Sequence, residues 1–295
     1  MEIRLYNDIV FKWIFGRQEY TRPLICLLNA VVCYENEEPK FSEVQILNPF
    51  DRSEPFTNEK QGILDIRAKD TVSGEWIDLE IQVLYSESYP QRSKYYLAGM
   101  YRDQLKKSKD INYDELTPCY GIHIFVDTLF DDKEDEKFWF NHYTMLNTRT
   151  HKPLVNHWHL YYIELGKFLK CFKENNSGKE LEQWSFFLGT IQDSSKQLES
   201  FLDNNETIKE VFEMLQTFTR DDQLREQYRL HEEWLRAQRT EQAIKEKFKK
   251  QYIAEKSAKE AALREKTAAL REKTAALREK ERERQEKERE KQEKE

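Results

Sequence analysis

Apolar and polar residues alternate with period two over residues 63–69 and again over 77–83, and the spacing turns helical on either side. In the first run Leu64, Ile66 and Ala68 alternate with Ile63, Asp65, Arg67 and Lys69; in the second, Ile77, Leu79, Ile81 and Val83 alternate with Asp78, Glu80 and Gln82. Period two predicts two half-buried strands. Asp70, Thr71, Ser73 and Gly74 lie between them and supply turn chemistry, with Gly74 free to take a positive φ, so the runs form an antiparallel hairpin. Closure around Val72 and Ser73 pairs residues whose numbers sum to 145, which sets Asp65 opposite Glu80.

Before the hairpin, Asn7 or Asp8 caps a helix with Phe11, Ile14 and Phe15 on its apolar face and Gly16 at its end. A second helix spans Arg22 to Val32, with Pro23 in the first turn. Phe41, Val44, Ile46 and Leu47 read as a strand ended by Asn48-Pro49. After the hairpin, Pro90 and Arg92 open a helix that carries Tyr95, Tyr96, Gly99, Met100 and Leu105 and ends in the basic run 106–109. Tyr120 to Val126 is a short apolar run rich in β-formers and predicts a buried strand. Phe138 to Leu146 and His157 to Leu165 read as two more strands, and the pattern is helical from Leu181 onward. Strand, helix and strand around an acidic hairpin imply a mixed α/β sheet covered by a crossover helix.

Past about Arg236 the composition changes. Ala-Ala-Leu-Arg-Glu-Lys recurs from 261, 268 and 275, and residues 281–295 are only Glu, Arg, Lys and Gln. These are good helix formers with nearly balanced charge, so a long exposed helix is expected. Leu263 and Leu270 are followed at plus four by Thr267 and Thr274, so a coiled-coil seam, which needs two apolar positions per heptad, is weak. The expected organisation is a domain over 1–180, a helical subdomain over 181–235 packed on it, and a charged tail over 236–295, with weak self-association through the tail left open.

The chemistry is in the hairpin. Opposed residues on one face of an antiparallel pair have Cβ atoms roughly 4.5 to 5.5 Å apart, and two carboxylates that close repel unless a cation or a shared proton lies between them. Oxygen-only ligands with room for water and phosphate suit magnesium, and Gln82 projects from the same face as Glu80.

The net charge of −7 excludes a protein whose whole surface grips nucleic acid, while leaving room for a local basic cleft. Four cysteines without a C-x-x-C pair read as free thiols. The six histidines, among them His151, His157 and His159, read as strand and loop residues. The start of the chain lacks the pattern of a signal peptide, and no apolar run nears the ~20 residues of a membrane helix, so a cytoplasmic protein is expected.

Over roughly residues 5 to 230 the sequence resembles the PD-(D/E)xK nuclease superfamily, and within it the Rpn family of recombination-promoting nucleases and transposases. The residues that carry the resemblance are Asn7-Asp8, Phe11-Lys12 and Phe15-Gly16; Leu64 to Asp70; Gly74 with Leu79-Glu80-Ile81-Gln82; and Arg92 with Tyr95-Tyr96. Two departures stand out: Leu64 replaces the motif's proline, and Gln82 replaces its lysine. The resemblance implies a restriction-endonuclease-like fold and a metal-dependent DNA endonuclease of recombination or mobile elements. Asp65 and Glu80 would hold Mg2+, with Mn2+ or another divalent cation as substitutes, and Gln82 would position water or a phosphate oxygen. Asp8, Lys12, Lys69, Arg92, Tyr95 and Tyr96 are supporting candidates, with DNA as partner and no membrane association. Two other readings are a catalytically decayed DNA-binding or regulatory module, and a scaffold acting through its C-terminal helix.

Overall fold

A computed structural model of the chain describes residues 3–35, 38–50, 65–84, 87–107, 112–130, 137–172, 178–190 and 204–292. Leu64, the residues 108–109 of the basic run and Phe201 lie outside these. The order is α1 (Asp8–Phe15), α2 (Arg22–Val32), β1 (Val44–Ile46), β2 (Ile66–Asp70), β3 (Trp76–Gln82), α3 (Tyr89–Lys107), β4 (Cys119–Phe125), β5 (Phe140–Tyr143), β6 (Trp158–Glu164), α4 (Leu165–Cys171), α5 (Glu180–Gly189), α6 (Glu206–Arg220) and α7 (Asp222–Gln292).

The strands form one mixed sheet in the order β1-β2-β3-β4-β6-β5. β1, β2 and β3 pair antiparallel, β3, β4 and β6 parallel, and β5 returns antiparallel on β6. Ile66 pairs with Leu79 and Lys69 with Trp76, so the hairpin sum of 145 holds along the ladder. The turn that sets it is tight. Asp70 accepts from Ser73 N and Oγ, and Gly74 takes φ 75°, a conformation glycine adopts at no steric cost.

One face of the sheet is apolar. Ile66, Ala68, Ile77, Leu79, Ile122 and Ile163 belong to one buried cluster with Phe11, Phe15, Leu27, Leu28, Trp184, Phe187 and Phe218 from α1, α2, α5 and α6. The region 181–235 therefore shares a core with the sheet, and the first compact unit runs Met1–Leu235. On the opposite face α3 buries Leu97 and Met100 against Trp76, Cys119 and Leu160, and Tyr89 against Phe125 and Tyr162. Period two along β3 thus separates a core face from a face against which α3 packs.

α4 was not expected, and it begins where β6 ends, with Glu164 at its N-cap. Glu164 also accepts from Leu129 N and Phe130 N and pairs with Lys167, which fixes the chain direction at that corner.

The second unit is Arg236–Glu295. From residue 243 every side chain described is exposed. Glu241–Lys245 and Glu255–Lys259 pair one turn apart, while Thr267 and Thr274 donate to the backbone carbonyls of Leu263 and Leu270. No described helix is long and apolar enough to cross a membrane. Deleting residues 256–295 is expected to leave the main thermal unfolding transition unchanged while lowering the helical circular-dichroism signal, because the side chains described there are all exposed. A depressed transition would show that the segment packs.

Candidate active site

A cleft of ≈ 230 Å³ opens where β2 begins and β3 ends. Asp65 and Arg67 enter it from β2, Glu80 and Gln82 from β3, Asp8 from the first turn of α1, Arg92 and Tyr96 from α3, and His231, Trp234 and Leu235 from α7. The ladder places Asp65 one step beyond the Ile66–Leu79 pair, opposite Glu80. Asn48 fixes that step, donating to Asp65 O and accepting from Arg67 N.

Each acid has a cationic neighbour. Arg67 Nε donates to Asp65 Oδ2 at 2.7 Å and stands 3.8 Å from Asp78 Oδ1. Arg92 Nη2 bridges Glu80 Oε1 at 2.5 Å and Gln82 Oε1 at 2.8 Å, and its guanidinium lies 4.5 Å from the Tyr89 ring centroid. Glu80 Oε2 accepts from Tyr89 Oη at 2.7 Å, and His123 Nδ1 is 3.6 Å away. Two opposed carboxylates were expected to repel for want of a metal; arginines already offset them.

Burial alone would raise the Glu80 carboxyl, but His123, Arg92 and Tyr89 together hold it below the ordinary carboxylate range. Asp78 behaves oppositely. Burial, then the charges of Asp65 and Glu80, push its carboxyl well above that range. Asp8 is also raised, chiefly by burial, against the hydrogen bond to His231, whose Nε2 is 3.2 Å from Asp8 Oδ2.

Of the residues singled out in the sequence, Asp65, Glu80, Gln82, Asp8, Arg92 and Tyr96 line this cleft, and Tyr95 lines a neighbouring recess. Lys12 and Lys69 do not reach it. Lys12 is buried within α1, and Lys69 lies near the hairpin turn with Nζ 5.9 Å from the Trp76 ring. Gln82 is already held at both ends: its Nε2 donates to Leu84 O at 2.7 Å and its Oε1 accepts from Arg92, which leaves one N–H and one lone pair for water or a phosphate oxygen.

Asp78, Tyr89, His123 and His231 were not anticipated. Asp78 had a signal, since the same register sum opposes it to Arg67. His123, the lone imidazole of an apolar strand, pairs with Glu80 across the parallel β3–β4 ladder, which no local pattern predicts. His231 comes from α7, where Asn7 Nδ2 donates to Glu232 and Arg4 N to Tyr228 Oη. His157 and His159 are engaged elsewhere, with Tyr101 Oη and with Tyr120 and His142.

The donor chemistry fits a hard divalent cation. Asp65 and Glu80 offer carboxylate oxygens from opposed strands, and Asp8 Oδ1, buried in the same cleft, makes no hydrogen bond. Among the described residues no group of three acid, histidine or cysteine side chains is gathered as a complete ligand set. The fit is therefore to an ion that takes two protein carboxylates and completes its shell with water and substrate oxygens, the habit of magnesium.

A family model described as "PD-(D/E)XK nuclease family transposase" matches residues 5–242. Comparison with curated proteins and with solved structures gave no match.

Proposed function

The chain belongs to the PD-(D/E)XK nuclease family transposases, and from that premise we propose that it hydrolyses DNA phosphodiester bonds with a divalent cation held by Asp65 and Glu80. The observation that carries the reading is that both acids, next in register after the Ile66–Leu79 pair, line one cleft that also receives Arg92. When bound, the cation acidifies an attacking water and offsets charge on a phosphate oxygen.

The chain's own groups do the rest. Arg67 orients Asp65, and Tyr89 and His123 orient Glu80 and keep it ionised. Arg92 supplies the fixed positive charge that a lysine would bring at position 82, where charge builds on the phosphate in the transition state. Gln82 aims it, because the amide is itself pinned to Leu84 O. A neutral amide cannot replace the lysine's charge, but an amide and an arginine together can.

Plasmid incubated with the full chain should be cut in magnesium or manganese and remain intact with chelator. DNA binding without cutting in either ion would make the chain a binding module instead.

A further inference from the structure

Next to the acid cleft lies a larger recess of ≈ 640 Å³, bounded by α3 and by the part of the sheet that α3 leaves uncovered. It shares Asp65, Arg67 and Tyr96 with the cleft, so a strand whose phosphate sits in one extends directly into the other. The volume lies within the roughly 300–1,000 Å³ range of small-molecule pockets, which is room enough for a nucleobase.

Its lining is mixed: Trp76, Tyr95, Tyr96 and Met100 supply aromatic and apolar surface, while Asn48, Asp65, Arg67, Arg102 and Asp103 supply polar and charged groups. Core packing accounts for Trp76 and Met100, which meet Leu97 and Leu160, but not for the tyrosines. Tyr95 is 72% exposed and Tyr96 37%, with ring centroids 6.0 Å apart. Gly99 lines the same recess, and a β-carbon there would meet nothing within 4 Å. A glycine in a helix interior costs stability, and here no neighbour demands it; its effect is to keep the recess open. Asp78 lines it too, 3% exposed, with an Oδ1 that makes no hydrogen bond.

We infer that this recess receives the base of an unpaired DNA nucleotide, stacked on one of the two tyrosines Tyr95 and Tyr96, whose rings are tilted 58° to each other, beside the phosphodiester held in the acid cleft. The inference rests on the DNA-cleaving reading above and narrows its substrate to DNA with unpaired nucleotides at or next to the cut. In a continuous duplex both faces of a base are taken by its neighbours, and the base must leave the stack to enter a pocket. Stacking on aromatic rings also gives affinity that owes little to phosphate neutralisation, which a chain of net charge −7 is poorly equipped to supply over a broad surface.

The test compares two DNAs of one sequence, a continuous duplex and the same duplex with a short gap, by fluorescence anisotropy without divalent ion. The full chain should bind the gapped DNA about tenfold tighter, the scale of one base stacked on an aromatic side chain. Gly99→Phe fills the recess and should erase that preference with continuous-duplex binding unchanged, while Gly99→Ala, which leaves space, should keep it. Tyr95→Ala, at an exposed position that folding does not use, should weaken binding to the gapped DNA. Equal affinity of the parent for both DNAs, or parallel loss on both in Gly99→Phe, overturns the inference; should Gly99→Phe fail to fold, unchanged gapped binding by Tyr95→Ala overturns it. Cutting in magnesium is scored in parallel: cutting without gap preference removes only the base recess, and gap preference without cutting removes only the hydrolytic reading.

Discussion

Glu80→Gln and Asp65→Ala are each expected to abolish cleavage, a loss of at least ~10³-fold, since several kcal/mol of charge stabilisation goes with the cation they hold and every 1.36 kcal/mol is tenfold in rate. The choice of variant at position 80 separates chemistry from folding. Gln keeps an acceptor oxygen for Arg92 and turns its amide NH2 toward the hydroxyl of Tyr89, which is 1% exposed and can accept from it while donating to His123 Nδ1, so its unfolding temperature should stay near the parent's. Glu80→Ala removes that acceptor and should cost about 1 kcal/mol, the net worth of a hydrogen bond, or about 2–4 °C in a unit of this size. Plasmid cleavage and thermal unfolding on all three proteins decide the matter. Near-parental cutting by both Glu80→Gln and Asp65→Ala would remove these acids from the site.

The second large effect is expected at Arg92. Arg92→Ala should slow single-turnover cleavage at saturating divalent ion by ~10²–10³-fold, the cost of removing one preorganised donor from a developing charge. Gln82→Ala should cost roughly 10- to 10²-fold, because it deletes the hydrogen bond that aims the charged guanidinium, worth about 1.5–3 kcal/mol. Arg92→Lys should fall between these, since an ammonium on a flexible stem lacks the planar fork through which Nη2 meets Glu80 and Gln82. Gln82→Lys should not exceed the parent, as it sets two cations side by side. Parental rates for Arg92→Ala would mean that the phosphate charge is met elsewhere.

The hairpin, both N-terminal helices and the buried central strand were legible because each rests on local order: period two, an N-cap, a proline in the first turn, an unbroken apolar run. α2 spans Arg22–Val32 as the spacing predicts. The acids followed from one turn, since fixing Asp70 to Gly74 fixes every pair along the ladder. What local order cannot carry is partnership between distant segments. His123 reaches Glu80 through a parallel pairing across α3, and His231 reaches Asp8 from the far end of the compact unit. Lys12 illustrates the converse: its spacing from Asp8 suited a surface pair, but α1 is buried almost all round. α4, seven residues following a strand without a break, is too short to announce a period of its own.

The ties between the start of α1 and α7, Asn7 to Glu232 and Asp8 to His231, bear on how the protein is made. A ribosome adding about 5–20 residues per second needs roughly 7–30 s to travel from residue 92 to residue 235. During that interval the emerging chain already carries Asp65, Glu80 and Arg92 but not the wall made by His231, Trp234 and Leu235. A message cut short anywhere in that interval yields the acids without the finished cleft, so under the proposed reading any cutting of DNA waits for the last stretch of the compact unit.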